Sequence, residues 1–96
     1  MSDETEDVFY ERADAHIELA NRQIGEGDAG EVGASMMFAL ARFDAWLSAG
    51  GFETAEQMKA SREESLEFFV SEYRAMLEEH YDDYIENFSE YMDSED

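Results

Sequence analysis

The 96-residue sequence contains no cysteine and no proline. Without cysteine, the chain can form neither a disulfide nor a thiolate nucleophile nor a thiolate-ligated metal site. Proline is the residue that most strongly interrupts helices, so its absence favours long helical segments. These two absences predict a helical protein and exclude cysteine-based catalysis.

Basic residues are scarce. Six Lys and Arg stand against 26 Asp and Glu, which gives a formal net charge of −20. Contact with nucleic acid phosphates requires clustered Lys and Arg, so we expect no direct nucleic acid binding. The charge also disfavours an anionic membrane surface. The longest apolar run, residues 36–41, is far shorter than the ~20 residues of a membrane span. The acidic start MSDETEDV does not resemble a secretory signal, so a cytoplasmic location is predicted.

The apolar content is high enough for a folded domain. Hydrophobic residues make up 44% of the chain and aromatic residues 14%, which excludes disorder as the class for most of its length. A second domain would fall below the size at which a core stabilises itself. We therefore predict one helical domain over residues 1–96, with residues 1–4 and 93–96 frayed.

Apolar residues at steps of three and four predict three helical segments. The first covers residues 5–24 and the second residues 29–49, with Asp28 as the N-cap of the second. The third begins after Thr54, which forms a T-x-x-Q capping box with Gln57.

The third segment continues without glycine or proline to the end of the chain. At ~38 residues it would be ~57 Å long, against ~30 Å for the other two. We therefore predict an all-α, three-helix bundle with a long C-terminal helix, or four helices if the chain breaks near residues 79–83. A continuous helix would leave an apolar stripe uncovered, and a second copy is expected to cover it. The stripe consists of Leu66, Val70, Tyr73, Leu77, Tyr81, Tyr84, Phe88 and Tyr91.

Three segments resemble a known family. They are FYERADAHIELAN (residues 9–21), ARFDAW (residues 41–46) and EYRAMLEEHYDDYIENF (residues 72–88). They are similar to a family of short, acidic, helical proteobacterial proteins that is defined as a domain of unknown function. The resemblance implies a bacterial, proteobacterial source and assigns no catalytic or binding residue.

The sequence contains no convincing catalytic or cofactor site. GEGDAG, residues 25–30, matches G-x-G-x-x-G, but a helix precedes it and its acids would repel a pyrophosphate, so we interpret it as an interhelical turn. No serine has the His and Asp partners of a hydrolase. We expect no enzymatic activity, no cofactor and no assigned catalytic or metal residue.

The two histidines give little support for a metal site. His16 lies on the apolar stripe of the first segment and is predicted to be a core histidine. His80 with Asp83 or Tyr84 could hold a divalent metal weakly, although the Glu-x-x-His pattern of di-metal bundles is missing.

The candidate interaction surface combines aromatic residues with one arginine. Arg42 lies in the least polar helix, with an aromatic residue one turn away on either side. A separate acidic stripe in the third segment, Glu79, Asp83, Glu86 and Glu90, is interpreted as a solvated face. The predicted surface consists of Arg42, Trp46, Tyr81, Tyr84, Phe88 and Tyr91.

The function is therefore predicted only in broad terms. The chain is interpreted as a small acidic protein-interaction or structural module that forms a homodimer, binds an unidentified protein, or both. One alternative is a DNA mimic that occupies a basic groove of a nucleic-acid-binding protein. Another is a helical protein that binds divalent metal weakly, and a third interprets the acidity as adaptation to high salt.

Overall fold

The computed structural model describes the backbone of residues 4–93 and the side chains of residues 5–93. Over this range the chain forms α-helices and no strand, so the predicted all-α class is confirmed. The helices are α1 (Glu4–Ile24), α2 (Ala29–Ala49), α3 (Ala55–Ala60), α4 (Arg62–Glu86) and α5 (Phe88–Met92). The predicted frayed ends fall mainly on residues outside the described range.

Helices α1 and α2 have the bounds that the apolar pattern predicts, to within one residue. The glycine-rich segment between them is a turn, as predicted, although its last two residues belong to α2. The backbone carbonyl of Asp28 accepts hydrogen bonds from the N–H groups of Glu31 and Val32 at 3.1 and 3.0 Å. The bond from Val32 is the first regular hydrogen bond of α2, and the bond from Glu31 satisfies one of the N–H groups that the first turn of a helix leaves without an intrahelical acceptor.

The predicted cap of the third helical segment is present. Thr54 has extended backbone angles, and its Oγ1 accepts a hydrogen bond from the Gln57 N–H at 3.1 Å. The reciprocal bond runs from the Glu53 N–H to Gln57 Oε1 at 2.8 Å. The side chain of Gln57 thus returns to the residue before the cap, rather than to the cap residue itself as in the standard capping box.

The third segment is one helical path with two single-residue interruptions, at Ser61 and Asn87. Ser61 (φ −98°, ψ 4°) donates its N–H to the carbonyls of Gln57 and Met58 at 3.2 and 3.1 Å. It also accepts from the Ser65 N–H at 2.9 Å, so helical hydrogen bonding continues across the interruption. Helix α4 passes through residues 79–83 without a break, and the four-helix alternative is not adopted.

The chain divides between Ala45 and Trp46 into two compact units. The first contains α1 and most of α2, and its buried residues are Ala20 and Val32, each 8% exposed. Both lie close in sequence to the α1–α2 turn, so the buried side chains of this unit are near that turn.

The second unit contains the end of α2 and helices α3 to α5. Its most protected apolar side chains, Phe52, Met58 and Phe69, are half-buried. Ser61 and Ser65 are also half-buried. Together with Phe52 and Phe69 they line an open depression of about 390 Å³. Among the described residues, no helix combines the length and the hydropathy that a membrane span requires.

Candidate interaction surfaces

Four of the predicted residues lie near the end of the second unit. Tyr81 and Tyr84 are on α4, Phe88 and Tyr91 are on α5, and their side chains are between 47% and 65% exposed. We call these four residues the C-terminal aromatic surface. The helical period that predicted the stripe continues through them, because the Asn87 N–H bonds to the Asp83 carbonyl and the Tyr91 N–H bonds to the Asn87 carbonyl, at 2.9 and 3.1 Å.

The structure brings two of the four aromatic residues into direct contact. The rings of Tyr84 and Tyr91 stack with their centroids 4.4 Å apart and an angle of 27° between their planes. Stacked rings of this kind contribute beyond the apolar area that they bury. Among the described residues, the ring contacts include neither Tyr81 nor Phe88, and both side chains remain exposed.

A carboxylate in α4 fixes the position of α5. Asp83 Oδ2 accepts a hydrogen bond from the Tyr91 hydroxyl at 2.7 Å, and Asp83 Oδ1 accepts one from Asn87 Nδ2 at 2.8 Å. The same amide nitrogen also donates to the Asp83 backbone carbonyl at 3.2 Å. The Asp83 side chain is therefore hydrogen-bonded both to the residue that interrupts the helix, Asn87, and to Tyr91 on α5.

This arrangement corrects one prediction from the sequence. Asp83 was expected in a solvated acidic stripe with Glu79, Glu86 and Glu90; those three are exposed, but Asp83 is half-buried. Its hydrogen bond to the Tyr91 hydroxyl, and then its negative charge, raise the pKa of Tyr91 above the ordinary value of 10.0. A carboxylate that accepts a bond from the phenol favours its protonated form.

The other two predicted residues lie on α2. Arg42 is exposed and belongs to the first unit; Trp46 is 66% exposed and begins the second. Within the described part of the chain, the ion pairs are Arg62–Glu63 and Arg74–Glu78, so Arg42 forms none there. Arg42 is therefore available at the surface of α2.

The predictions about histidine are not supported. His16 is exposed rather than in a core, so that prediction is wrong. His80 is also exposed, while the Asp83 carboxylate that could have joined it is bonded to Asn87 and Tyr91. Over residues 5–93, no three His, Asp or Glu side chains are grouped so that they could hold a metal ion.

Comparison with known proteins agrees with this architecture. The chain belongs to the family described as Protein of unknown function (DUF3144), whose model matches residues 9–85. The predicted resemblance to a family of unknown function is thereby confirmed. Among solved structures, the chain is similar to the NMR structure of the protein NB7890A from Shewanella sp. The two are 44% identical with a TM-score of 0.77, over 92% of this chain and 94% of that chain. No curated protein matches the sequence.

Proposed function

We propose that this protein is a non-enzymatic interaction module that associates with a second copy of itself. The observation that carries the proposal is the exposure of its apolar side chains. Among the described residues only Ala20 and Val32 are buried, whereas 25 large hydrophobic side chains are exposed. Large contiguous apolar patches on soluble chains mark sites of interaction.

The energetics favour covering this surface. Removing apolar area from water contributes about 25 cal/mol per Å², and helices of this length derive most of their stability from packing rather than from intrinsic propensity. The high negative charge opposes indiscriminate contact between chains, because like charges repel. Association is therefore expected only where apolar contact outweighs this repulsion.

The C-terminal aromatic surface suits a different protein partner. It is bordered by the exposed carboxylates Glu79, Glu86 and Glu90, so its complement is an apolar contact bordered by Lys or Arg. Charge complementarity of this kind chiefly increases association rate and specificity. DNA mimicry is the weaker proposal, because one carboxylate of the predicted acidic row, Asp83, is bonded within the chain.

Sedimentation equilibrium over a wide range of protein concentration tests self-association. We expect the mass to rise from 11.0 kDa to twice that value, and the binding of an apolar-surface dye per chain to fall in parallel. A mass of 11.0 kDa at every concentration, with dye binding unchanged, would contradict the proposal.

Affinity capture from a bacterial cytoplasm tests the contribution of the aromatic surface. Tyr81→Ser should lose any specifically retained protein, because it removes an exposed aromatic contact. Tyr10→Ser is the matched control, since Tyr10 on α1 is comparably exposed, at 60% against 65% for Tyr81. Equal capture by the two variants would exclude the C-terminal aromatic surface as the binding site.

A further inference from the structure

Helix α2 has large apolar side chains that the rest of its own unit leaves exposed. Met36, Met37 and Phe38 are 40%, 58% and 74% exposed, and Leu40 is 46% exposed. Three consecutive side chains point in different directions around a helix, since each residue turns by about 100°. Helix α2 is thus apolar around much of its circumference, a pattern typical of helices that are covered on more than one side.

The same helix is almost uncharged. Its 21 residues include two acids, Glu31 and Asp44, and one base, Arg42, for a net charge of −1. Helix α4 has nine acids against two arginines in 25 residues, a net charge of −7. Two chains of charge −20 repel wherever their acidic faces meet. Among the long helices, α2 is therefore the one on which two copies approach with the least repulsion.

From these observations we infer that α2 is the helix through which two copies of this chain associate, its Met36–Leu40 segment packing on the same segment of the second copy. This inference rests on the self-association proposed above and identifies the contact. A basic partner would be recognised through acidic side chains, which α2 nearly lacks. An uncharged apolar helix is complementary to another of the same kind, and a two-fold contact places the same patch on both sides.

Gly33 is consistent with such a contact. It lies in the interior of α2, where glycine destabilises a helix relative to alanine. A Cβ at this position would meet nothing within 4 Å, and its φ is not positive. No contact within its own unit therefore requires glycine here. Gly33 shares a helix face with Met36 and Met37, three and four residues further on, where a missing side chain lets a second helix approach closely.

Analytical ultracentrifugation of the 96-residue chain and matched variants tests the inference. Met37→Glu should weaken self-association on the order of 100-fold, because an unpaired charge is buried in each half of the contact. Met76→Glu is the control, since it makes the same change at a comparably exposed methionine of α4, 49% against 58%. It should change association no more than a few-fold.

Gly33→Ala provides a second test, in which no charge is introduced into α2. Alanine should raise the thermal stability of the dilute, dissociated chain, because it is the better helix former and meets open space there. It should nevertheless weaken self-association, because the added methyl group separates the two helices. A variant that is more stable and associates as tightly as the wild type would contradict the inference.

The outcomes distinguish the inference from the proposed function. Loss of association in Met76→Glu but not in Met37→Glu would place the contact on α4, overturning the inference while self-association stands. A wild-type chain that is monomeric at all concentrations would overturn both. Circular dichroism of each variant, which should retain the wild-type helix signal, shows whether a loss of association reflects unfolding.

Discussion

Helices α2 and α4 both expose apolar side chains, yet they differ in what accompanies those side chains. Helix α2 has three charged residues in 21, whereas α4 has eleven in 25. An apolar face without charges is complementary to a copy of itself, while an apolar face bordered by carboxylates repels its copy and suits a basic partner. Charge, rather than apolar exposure, therefore separates the two proposed contacts.

The greatest change in the free energy of unfolding is expected for a small buried side chain of α2, and it should contrast with the change for a large exposed side chain of the same helix. Val32→Ala should lower the free energy of unfolding by about 2 kcal/mol at every protein concentration, because Val32 is already buried in the single chain, at 8% exposure. Phe38→Ala, at 74% exposure, should have little effect in dilute solution and a growing one as concentration rises. Chemical denaturation at two concentrations measures both.

A large loss of stability for Phe38→Ala in dilute solution would contradict this prediction. If Phe38→Ala were as costly in dilute solution as Val32→Ala, the α2 surface would be covered by its own chain.

Salt should have the next largest effect. Raising NaCl from about 20 to 500 mM shortens the range of charge repulsion from roughly 20 Å to below 5 Å, so self-association should tighten by about tenfold. Sedimentation at each ionic strength provides the measurement. Weaker association in high salt would mean that oppositely charged groups meet in the contact, as expected if the acidic α4 took part.

The helix cap in the second unit should have a smaller effect. Thr54→Ala removes the oxygen that accepts the Gln57 N–H and should cost about 1 kcal/mol in thermal or chemical unfolding. Thr54→Ser retains that oxygen and should recover most of the loss. Equal losses in the two variants would indicate that the threonine methyl group, and not the hydrogen bond, matters at the cap.

The smallest effect concerns the end of the chain, where the pKa of Tyr91 is raised by Asp83. The folded chain holds the phenol proton more tightly, so this contribution to stability is complete below pH 10.0 and is lost as the pH rises through the raised value. The difference in ultraviolet absorbance between wild type and Tyr91→Phe isolates this titration. Asp83→Asn should move the pKa of Tyr91 back towards 10.0, and an unchanged titration in that variant would exclude Asp83 as the cause.

The helices could be predicted well because their signals are local. Apolar periodicity, the glycines after α1 and α2, and the Thr54 cap defined those boundaries to within one residue. The interruptions at Ser61 and Asn87 were missed, since neither involves glycine or proline. Serine and asparagine side chains compete for backbone groups, and at Asn87 the amide does bond to the Asp83 carbonyl.

Helical periodicity predicted where the candidate surface residues lie along the helices, but not which apolar faces are covered. Tyr81, Tyr84, Phe88 and Tyr91 followed from periodicity, and all four are exposed at the end of α4 or on α5. The same periodicity predicted that His16 lies in a core, but His16 is exposed. Periodicity identifies a face of a helix, but it does not establish that anything packs on that face.

Residue identity and spacing are sufficient to predict the helical class, the bounds of α1 and α2, the strong negative charge and the near-neutral stretch within it. Each of these depends on residue identity or on neighbours within one or two helical turns. The tertiary structure alone decided which apolar residues are protected, and that Asp83 bonds to Tyr91 eight residues away. Such contacts depend on the backbone path through an interruption and on the packing of separate helices, which local spacing does not specify.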